Sequence, residues 1–122
     1  MTDWFAPEAV FDGGRLLRST AIRLGGGRVT DLAPLSGLAP GTARTLPGVV
    51  TPGYVDLQVN GGGGVLLNQT PTAEGMAAIA AAHRRFGTVA ILPTLITDAP
   101  EVLDRAAAAA GRACGAGGII GL

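Results

Sequence analysis

The sequence has little of what several classes of site require. Cys114 is its only cysteine, so the 122-residue chain cannot form an internal disulfide or a multi-cysteine metal site. Lys plus Arg and Asp plus Glu number 9 each, which leaves no net charge to attract nucleic acid or an anionic membrane. No stretch approaches the roughly 18 apolar residues of a membrane span, and the opening residues lack the basic and apolar regions of a secretion signal. We therefore expect a cytoplasmic protein without nucleic-acid or membrane partners.

Residues 1–50 consist of short apolar stretches separated by turn residues. The glycines in segments 12–14 and 25–27 suit tight turns that need a positive φ. Pro34 and Pro40 remove backbone donors and disfavour a helix between the last of these stretches and the rest of the chain. We predict a small β-rich unit.

From residue 51 onward, strand-like apolar runs alternate with helical patterns. The predicted strands are 54–59, 89–92 and 119–122, and the predicted helices start after Thr72 and at Ala99. This alternation is typical of βαβ units and a parallel sheet, so the predicted fold class is α/β.

Both helices have recognisable start signals. Thr72 can cap the first helix, whose apolar stripe contains Met76, Ile79, His83 and Phe86. Asp98 and Glu101 have the spacing of a capping box for the second helix. Its predicted inner face consists of Val102, Leu103, Ala106, Ala107 and Ala110. Because His83 shares a stripe with apolar residues, we predict that it packs against the sheet rather than binding a ligand.

Residues 51–61, TPGYVDLQVNG, contain the first motif that points to a site. Gln58 and Asn60 are two positions apart on a predicted strand, so both can project to one side near its carboxyl end. Their amides could also simply bond nearby backbone groups. The segment resembles the PGFIDxHxHG motif that opens the barrel of amidohydrolases, in which two histidines hold a metal.

The glycine run 61–64 is followed neither by a helix nor by a Lys-Ser/Thr pair, so it is better interpreted as a loop than as a phosphate cradle. A second motif, residues 87–97 (GTVAILPTLIT), resembles the GTTxxLPTLITS segment of N-acetylglucosamine-6-phosphate deacetylases. Thr94 lies in this segment where the second strand ends, and we predict a structural role for it near the site.

The resemblance to these deacetylases, which are amidohydrolases, has several implications. The fold would be the start of a metal-dependent-hydrolase (β/α)8 barrel, formed by residues 51–122 as three strands and two helices, after an N-terminal portion of a β-sandwich in residues 1–50. The reaction would be hydrolysis of the acetamide of N-acetylglucosamine 6-phosphate to glucosamine 6-phosphate and acetate by a homodimeric enzyme. One zinc ion per subunit is implied, because amides stand where other amidohydrolases have histidines.

The same resemblance assigns roles near that zinc ion. Gln58 would contact it directly or through water, with Asn60 behind, and Asp56 and Gly61 would support the site. In the family, a segment like 118–122 is followed by His-Leu-Glu-Gly-Pro, whose Glu binds the metal. The main ligands and the proton-transferring Asp are therefore expected in a remainder of the same polypeptide, and this chain alone is expected to be an inactive N-terminal fragment.

Two alternatives remain open at this point. The chain could belong to another amidohydrolase, dihydroorotase-like or adenine-deaminase-like, or it could be a non-catalytic binding or partner subunit. A sheet of three strands would also be open at both edges. We therefore expect exposed apolar side chains at Val55, Val59, Ile91 and Ile119 or Ile120, and aggregation of the isolated chain.

Overall fold

The computed structural model describes residues 3–122, which divide into two compact units, one ending at Pro52 and the other running from Gly53 to Leu122. The strands are β1 (Asp3–Phe11), β2 (Leu16–Arg18), β3 (Thr20–Gly25), β4 (Arg28–Pro34), β5 (Ala43–Val50), β6 (Tyr54–Val59), β7 (Gly61–Gly62), β8 (Val65–Leu66) and β9 (Thr88–Pro93). The α-helices are α1 (Ala73–Arg84) and α2 (Pro100–Ala113), and a short 3-10 turn spans Leu35–Gly37. Within the described residues, neither α-helix has the length and apolarity needed to cross a membrane.

The first unit is a single β-sheet built around β1. One edge of β1 pairs antiparallel with β3 along its first half and with β2 along its second half. β2 and β3 keep the same register against β1 and are separated only by Ser19, which has a positive φ. The other edge of β1 pairs in parallel with β5. β4 extends the sheet beyond β3 through a turn at Gly26 and Gly27, both with positive φ. Asp12 accepts hydrogen bonds from two backbone N–H groups in the turn between β1 and β2. The predicted β-rich character and both glycine turns are confirmed.

The second unit contains a βαβ arrangement. β6 and β9 pair in parallel, and α1 connects them. Ile91 of β9 forms a further parallel bridge with Ile119, flanked by hydrogen bonds from the Ile91 N–H to the Gly118 oxygen (2.8 Å) and from the Ile120 N–H to the Ile91 oxygen (3.1 Å). Two of the three predicted strands and both predicted helices are present, so this part of the chain is α/β. The predicted strand 119–122 is reduced to the single bridge at Ile119.

Helix α1 follows its predicted signals closely. The Thr72 side chain accepts a hydrogen bond from the Gly75 N–H at 3.0 Å, and Met76 and Ile79 are fully buried. The predicted stripe is wrong at Phe86, which is 80% exposed. The helix ends at Arg84, so Phe86 lies in the following turn and no longer shares the helical face.

Helix α2 differs from its prediction at its start and in its buried face. It begins at Pro100 without a side-chain cap, because the Asp98 carboxylate accepts from the Ala99 N–H and from Asn68 instead. The residues that it buries are Ala106, Ala109, Ala110 and Ala113, whereas Leu103 and Ala107 of the predicted face are exposed. The five consecutive alanines from Ala106 to Ala110 fit a buried face in more than one rotation of the helix, so the sequence did not distinguish the observed face from the predicted one.

The core of the second unit lies between the sheet and the two helices. It consists of Val59, Leu67, Met76, Ile79, Ala80, Ile91, Ala109, Ala110, Ala113 and Ile119. The prediction that Val59 and Ile91 are exposed is therefore wrong, because these side chains pack in the same cluster as helix residues. Of the alternative pair Ile119 or Ile120, Ile119 is the buried member. Val55 and Ile120 are exposed as predicted.

We expect Thr72→Ala to destabilise the second unit by about 1 kcal/mol, because the N-cap bond to the Gly75 N–H is lost. Chemical denaturation of the full-length protein measures this change, and Thr72→Ser, which keeps the accepting oxygen, serves as the control. Equal stability of the alanine variant and the wild type would show that the cap contributes nothing.

Candidate functional site at the carboxyl ends of two parallel strands

The two polar motifs of the sequence meet where β6 and β9 end. The Thr94 N–H donates to the Val59 oxygen at 2.8 Å, which extends the pairing just past both strands. Asn60 follows β6 directly and Thr94 follows β9 directly. In parallel α/β folds the carboxyl ends of the strands are where ligands bind, so this edge is the candidate site.

Asn60 is held firmly at this edge. Its side-chain Nδ2 donates to the Thr94 oxygen at 2.9 Å, and its backbone oxygen accepts from the Leu67 N–H at 2.9 Å. Since a carbonyl oxygen can only accept, the nitrogen end of the Asn60 amide must face Thr94. The oxygen end, Oδ1, is then the part of the amide available to another partner.

Gln58 lies on β6, and its side chain is exposed. The backbone N–H of Gln58 donates to Asp56 Oδ1 at 3.1 Å, within a stretch where the pairing of β6 with β9 shifts register. The Asp56 carboxylate thus accepts a hydrogen bond from a backbone N–H of its own strand. The whole side-chain amide of Gln58 is thus available to a ligand, whereas Asn60 offers only its Oδ1.

The glycine run after β6 forms a small hairpin. Gly61 pairs with Leu66 and Gly62 with Val65, and Gly63 and Gly64 make the turn with positive φ values. A Cβ at Gly61 would collide with the backbone oxygen of Val65, so only glycine fits there. The prediction of a loop rather than a phosphate cradle agrees with this hairpin.

His83 connects α1 to that hairpin. Its Nε2 lies 3.0 Å from the Gly61 oxygen, and its ring also limits the space beside Gly62. His83 is thus a packing residue with one hydrogen bond. Among residues 3–122, no three His, Cys, Asp or Glu side chains are grouped as a metal centre would need.

Asn68 and Asp98 form a contact that the sequence did not indicate. Asn68 Oδ1 accepts from the Ile96 N–H at 3.0 Å, and its Nδ2 donates both to the Ile96 oxygen and to Asp98 Oδ2, each at 2.8 Å. One side chain therefore fastens the hairpin to the loop that follows β9. The only sequence signal is that polar residues lie in both segments, which is common in loops.

The contact with Asn68 is the main reason that the pKa of Asp98 is lowered, with the Ala99 N–H as the second cause. We expect Asn68→Ala to raise the pKa of Asp98 toward its ordinary value. Because a lowered folded-state pKa stabilises the fold at neutral pH and this contribution is lost as the pH falls through that pKa, the variant should lose less stability on acidification. Carbon NMR titration of the Asp98 carboxyl measures the change, with Asp12 as the internal control; an unchanged Asp98 curve would contradict it.

The residues at this edge fit a supporting role beside a metal rather than a metal site of their own. Gln58 and Asn60 offer neutral amide oxygens, which are weaker zinc ligands than imidazole or carboxylate. A divalent ion held only by these two amides would keep most of its charge uncompensated. The chain can thus supply one wall of a metal site.

Comparison with characterised proteins gives a consistent set of relatives. The chain is 48% identical over 81 residues to the N-acetylgalactosamine-6-phosphate deacetylase of Shewanella sp. (strain ANA-3), covering 65% of the chain and 21% of that protein. It is 32% identical over 102 residues to the N-acetylglucosamine-6-phosphate deacetylase of Homo sapiens, covering 79% of the chain and 25% of that protein. No protein-family model matches the chain. The chain is related to the amino-sugar phosphate deacetylases.

Solved structures agree with this relationship. The N-acetyl-D-glucosamine-6-phosphate deacetylase of Mycobacterium smegmatis matches with a TM-score of 0.83 and 31% identity, over 98% of this chain and 34% of that one. A variant of it in complex with N-acetyl-D-glucosamine-6-phosphate gives a TM-score of 0.77 at 30% identity, over 91% and 29% of the two chains. The predicted family and fold class are confirmed.

The relationship covers only a part of each relative. The chain spans between 21% and 34% of the length of the deacetylases compared above. Their names do not point to dihydroorotases or adenine deaminases, so the alternative amidohydrolases lose their support. The roles of Gln58, Asn60, Asp56, Gly61 and Thr94, the zinc ion and the division into sandwich and barrel segments stay predictions.

Proposed function

We propose that this chain is part of an amidohydrolase that removes the acetyl group from an N-acetylated amino-sugar 6-phosphate. The observation that carries the proposal is the similarity to deacetylases combined with the position of Gln58 and Asn60 at the carboxyl ends of β6 and β9. The rest of a (β/α)8 barrel, including most of the active site, would come from the remainder of the polypeptide. On this proposal, residues 3–122 by themselves have no deacetylase activity.

In the complete enzyme, one zinc ion per subunit would lower the pKa of a bound water and polarise the amide carbonyl. Gln58 would place its amide oxygen against the ion or its water, because its side chain is exposed at this end of β6. Asn60, whose Nδ2 is bonded to the Thr94 oxygen, would direct Oδ1 toward the groups that contact the ion rather than toward the ion itself. Asp56, Gly61 and Thr94 would hold the backbone of this wall in place.

The identity of the sugar has two candidates. The resemblance of the 87–97 motif favours N-acetylglucosamine 6-phosphate. The higher identity, 48% against 32%, is to a protein named for N-acetylgalactosamine 6-phosphate, which makes this epimer a specific second candidate. The two sugars differ only in the orientation of one hydroxyl group, so one scaffold can serve either.

The proposal extends to the form and location of the enzyme. We expect a cytoplasmic enzyme, since a sugar phosphate is a charged substrate that does not cross membranes unaided. We expect a homodimer on the resemblance to the deacetylase family alone. Light scattering of the full-length protein measures the assembly, and a monomer that is fully active at low concentration would refute the dimer.

The activity is tested with the full-length protein, loaded with zinc and freed of excess metal. Acetate release is measured with each of the two N-acetylhexosamine 6-phosphates, and with the unphosphorylated sugars as controls. We expect turnover of at least one phosphate, loss of turnover with a chelator, recovery with zinc, and one metal per active subunit. Absence of acetate release from both phosphates, or two tightly held metals per active subunit, would contradict the proposal.

A further inference from the structure

We propose that Asn68 is a positioning residue, which fixes the orientation of the Asn60 amide through a closed ring of hydrogen bonds. The inference rests on the proposed function for its catalytic consequence, although the ring itself can be tested without activity. Three segments take part: the end of β6, the segment after the glycine hairpin, and the loop after β9.

The first connection of the ring joins the end of β6 to the segment after the hairpin. The Leu67 N–H donates to the Asn60 oxygen at 2.9 Å, and the Leu67 side chain is completely buried in the core. The N–H groups of Gln69 and Thr70 both donate to the Leu66 oxygen, at 3.0 Å each. Asn68 is therefore held on both sides by ordered backbone, and its side chain starts from a fixed position.

The second connection joins that segment to the loop after β9. The Asn68 side chain accepts a hydrogen bond from the Ile96 N–H and donates one to the Ile96 oxygen. Its amide thus satisfies both backbone groups of Ile96, as a neighbouring strand would. The Asp98 carboxylate accepts the same Nδ2 at 2.8 Å and orients the amide, because only the nitrogen end can face a carboxylate. A reversed amide would place oxygen against two acceptors.

The third connection returns to Asn60. Only Leu95 separates Ile96 from Thr94, and Leu95 packs against the buried core, so fixing Ile96 also fixes the Thr94 oxygen. That oxygen accepts from Asn60 Nδ2 at 2.9 Å. Thr94 also keeps its N–H bond to Val59 and Leu95 keeps its packing on the core, so removal of the Asn68 contacts would loosen the loop from Ile96 onward, shift the Thr94 oxygen and weaken its hold on the Asn60 amide.

The predicted consequence is a loss in kcat more than in KM. Asn60 faces the reacting centre in the proposed function, and misplacement of a supporting group at such a centre costs on the order of 10-fold in activity. Asn68→Ala and Asn68→Asp in the full-length enzyme should both show this loss. In Asn68→Asp the new carboxylate faces Asp98 and the Ile96 oxygen, so repulsion also opposes the ring.

The rescue variant combines Asn68→Asp with Asp98→Asn. The new amide at position 98 can donate to the new carboxylate at position 68, which still accepts from the Ile96 N–H, so most of the lost kcat should return. Asp98→Asn alone keeps one oxygen, which can accept either from the Asn68 amide or from the Ala99 N–H, so it loses one of these two bonds and should cost less than Asn68→Asp. Asp104→Asn, on an exposed turn of α2, is the matched control and should leave kcat unchanged.

A second readout does not depend on activity. In nitrogen-resolved NMR of the full-length protein, Asn68→Ala should shift the Asn60 side-chain amide signals and speed hydrogen exchange at the Ile96 N–H. Unchanged Asn60 signals would overturn the inference even if activity fell. If the wild type hydrolysed neither sugar phosphate but the Asn60 signals shifted, the proposed function would fail and the ring would stand. Full kcat in Asn68→Asp, or no recovery in the double variant, would also overturn it.

Discussion

Gln58→Ala in the full-length enzyme is expected to lower kcat by roughly 10- to 100-fold, the usual range for loss of a group that supports a metal or its ligands. The reason is its place at the carboxyl end of β6, with a side chain that is exposed rather than used for packing. Thermal stability should change little, since an exposed side chain contributes within about 0.5 kcal/mol.

Gln69→Ala is the matched control for this prediction. Gln69 is an exposed glutamine that follows the glycine hairpin, so its replacement removes the same chemical group away from the strand end. Its kcat should equal that of the wild type. A Gln58 variant with full turnover, or with a fall in melting temperature large enough to explain the loss, would remove Gln58 from the site.

The isolated 122-residue chain is expected to self-associate. In the second unit, Tyr54, Val55, Leu57 and Val89 all lie on β6 or β9 and are each more than half exposed. Apolar side chains in this density on a two-stranded parallel sheet are typical of surfaces that another part of a protein covers. Hydrophobic association is the physical consequence in water.

Light scattering at several protein concentrations, with a dye that binds apolar surface, measures this behaviour. We expect particles larger than a monomer and strong dye binding for the isolated chain, and neither dye binding nor excess aggregation for the full-length protein. A monodisperse monomer of the isolated chain with a cooperative thermal transition would contradict the prediction and weaken the barrel assignment.

The elements that the sequence predicted well are those with local signals. β6 has the predicted bounds, because alternation and the flanking Pro52 and Gly53 limit it on one side. Helix α1 carries a cap and an apolar stripe within its own sequence. Signals of this kind need no knowledge of distant residues, so one sequence suffices to find them.

The contacts that the sequence did not predict join residues far apart in the chain. Asn68 and Asp98 are 30 positions apart and meet only because α1 returns the chain beside β6. The same contact explains why Asp98 does not cap α2 as predicted. Its carboxylate is already bonded to the Asn68 amide and to the Ala99 N–H. The location of Gln58 and Asn60 at a strand end was predictable from spacing, whereas the bond of Asn60 to the Thr94 oxygen required the register of two strands.

In the proposed function, the carboxyl ends of β6 and β9 form one wall of a single-metal deacetylase site. The most direct test is a crystal structure of the full-length protein with zinc, in which anomalous scattering locates the ion. We predict one zinc ion per subunit, in contact with the Gln58 amide oxygen or joined to it by one water molecule. An ion at another edge of the fold, or a pair of ions beside Gln58 and Asn60, would contradict the claim.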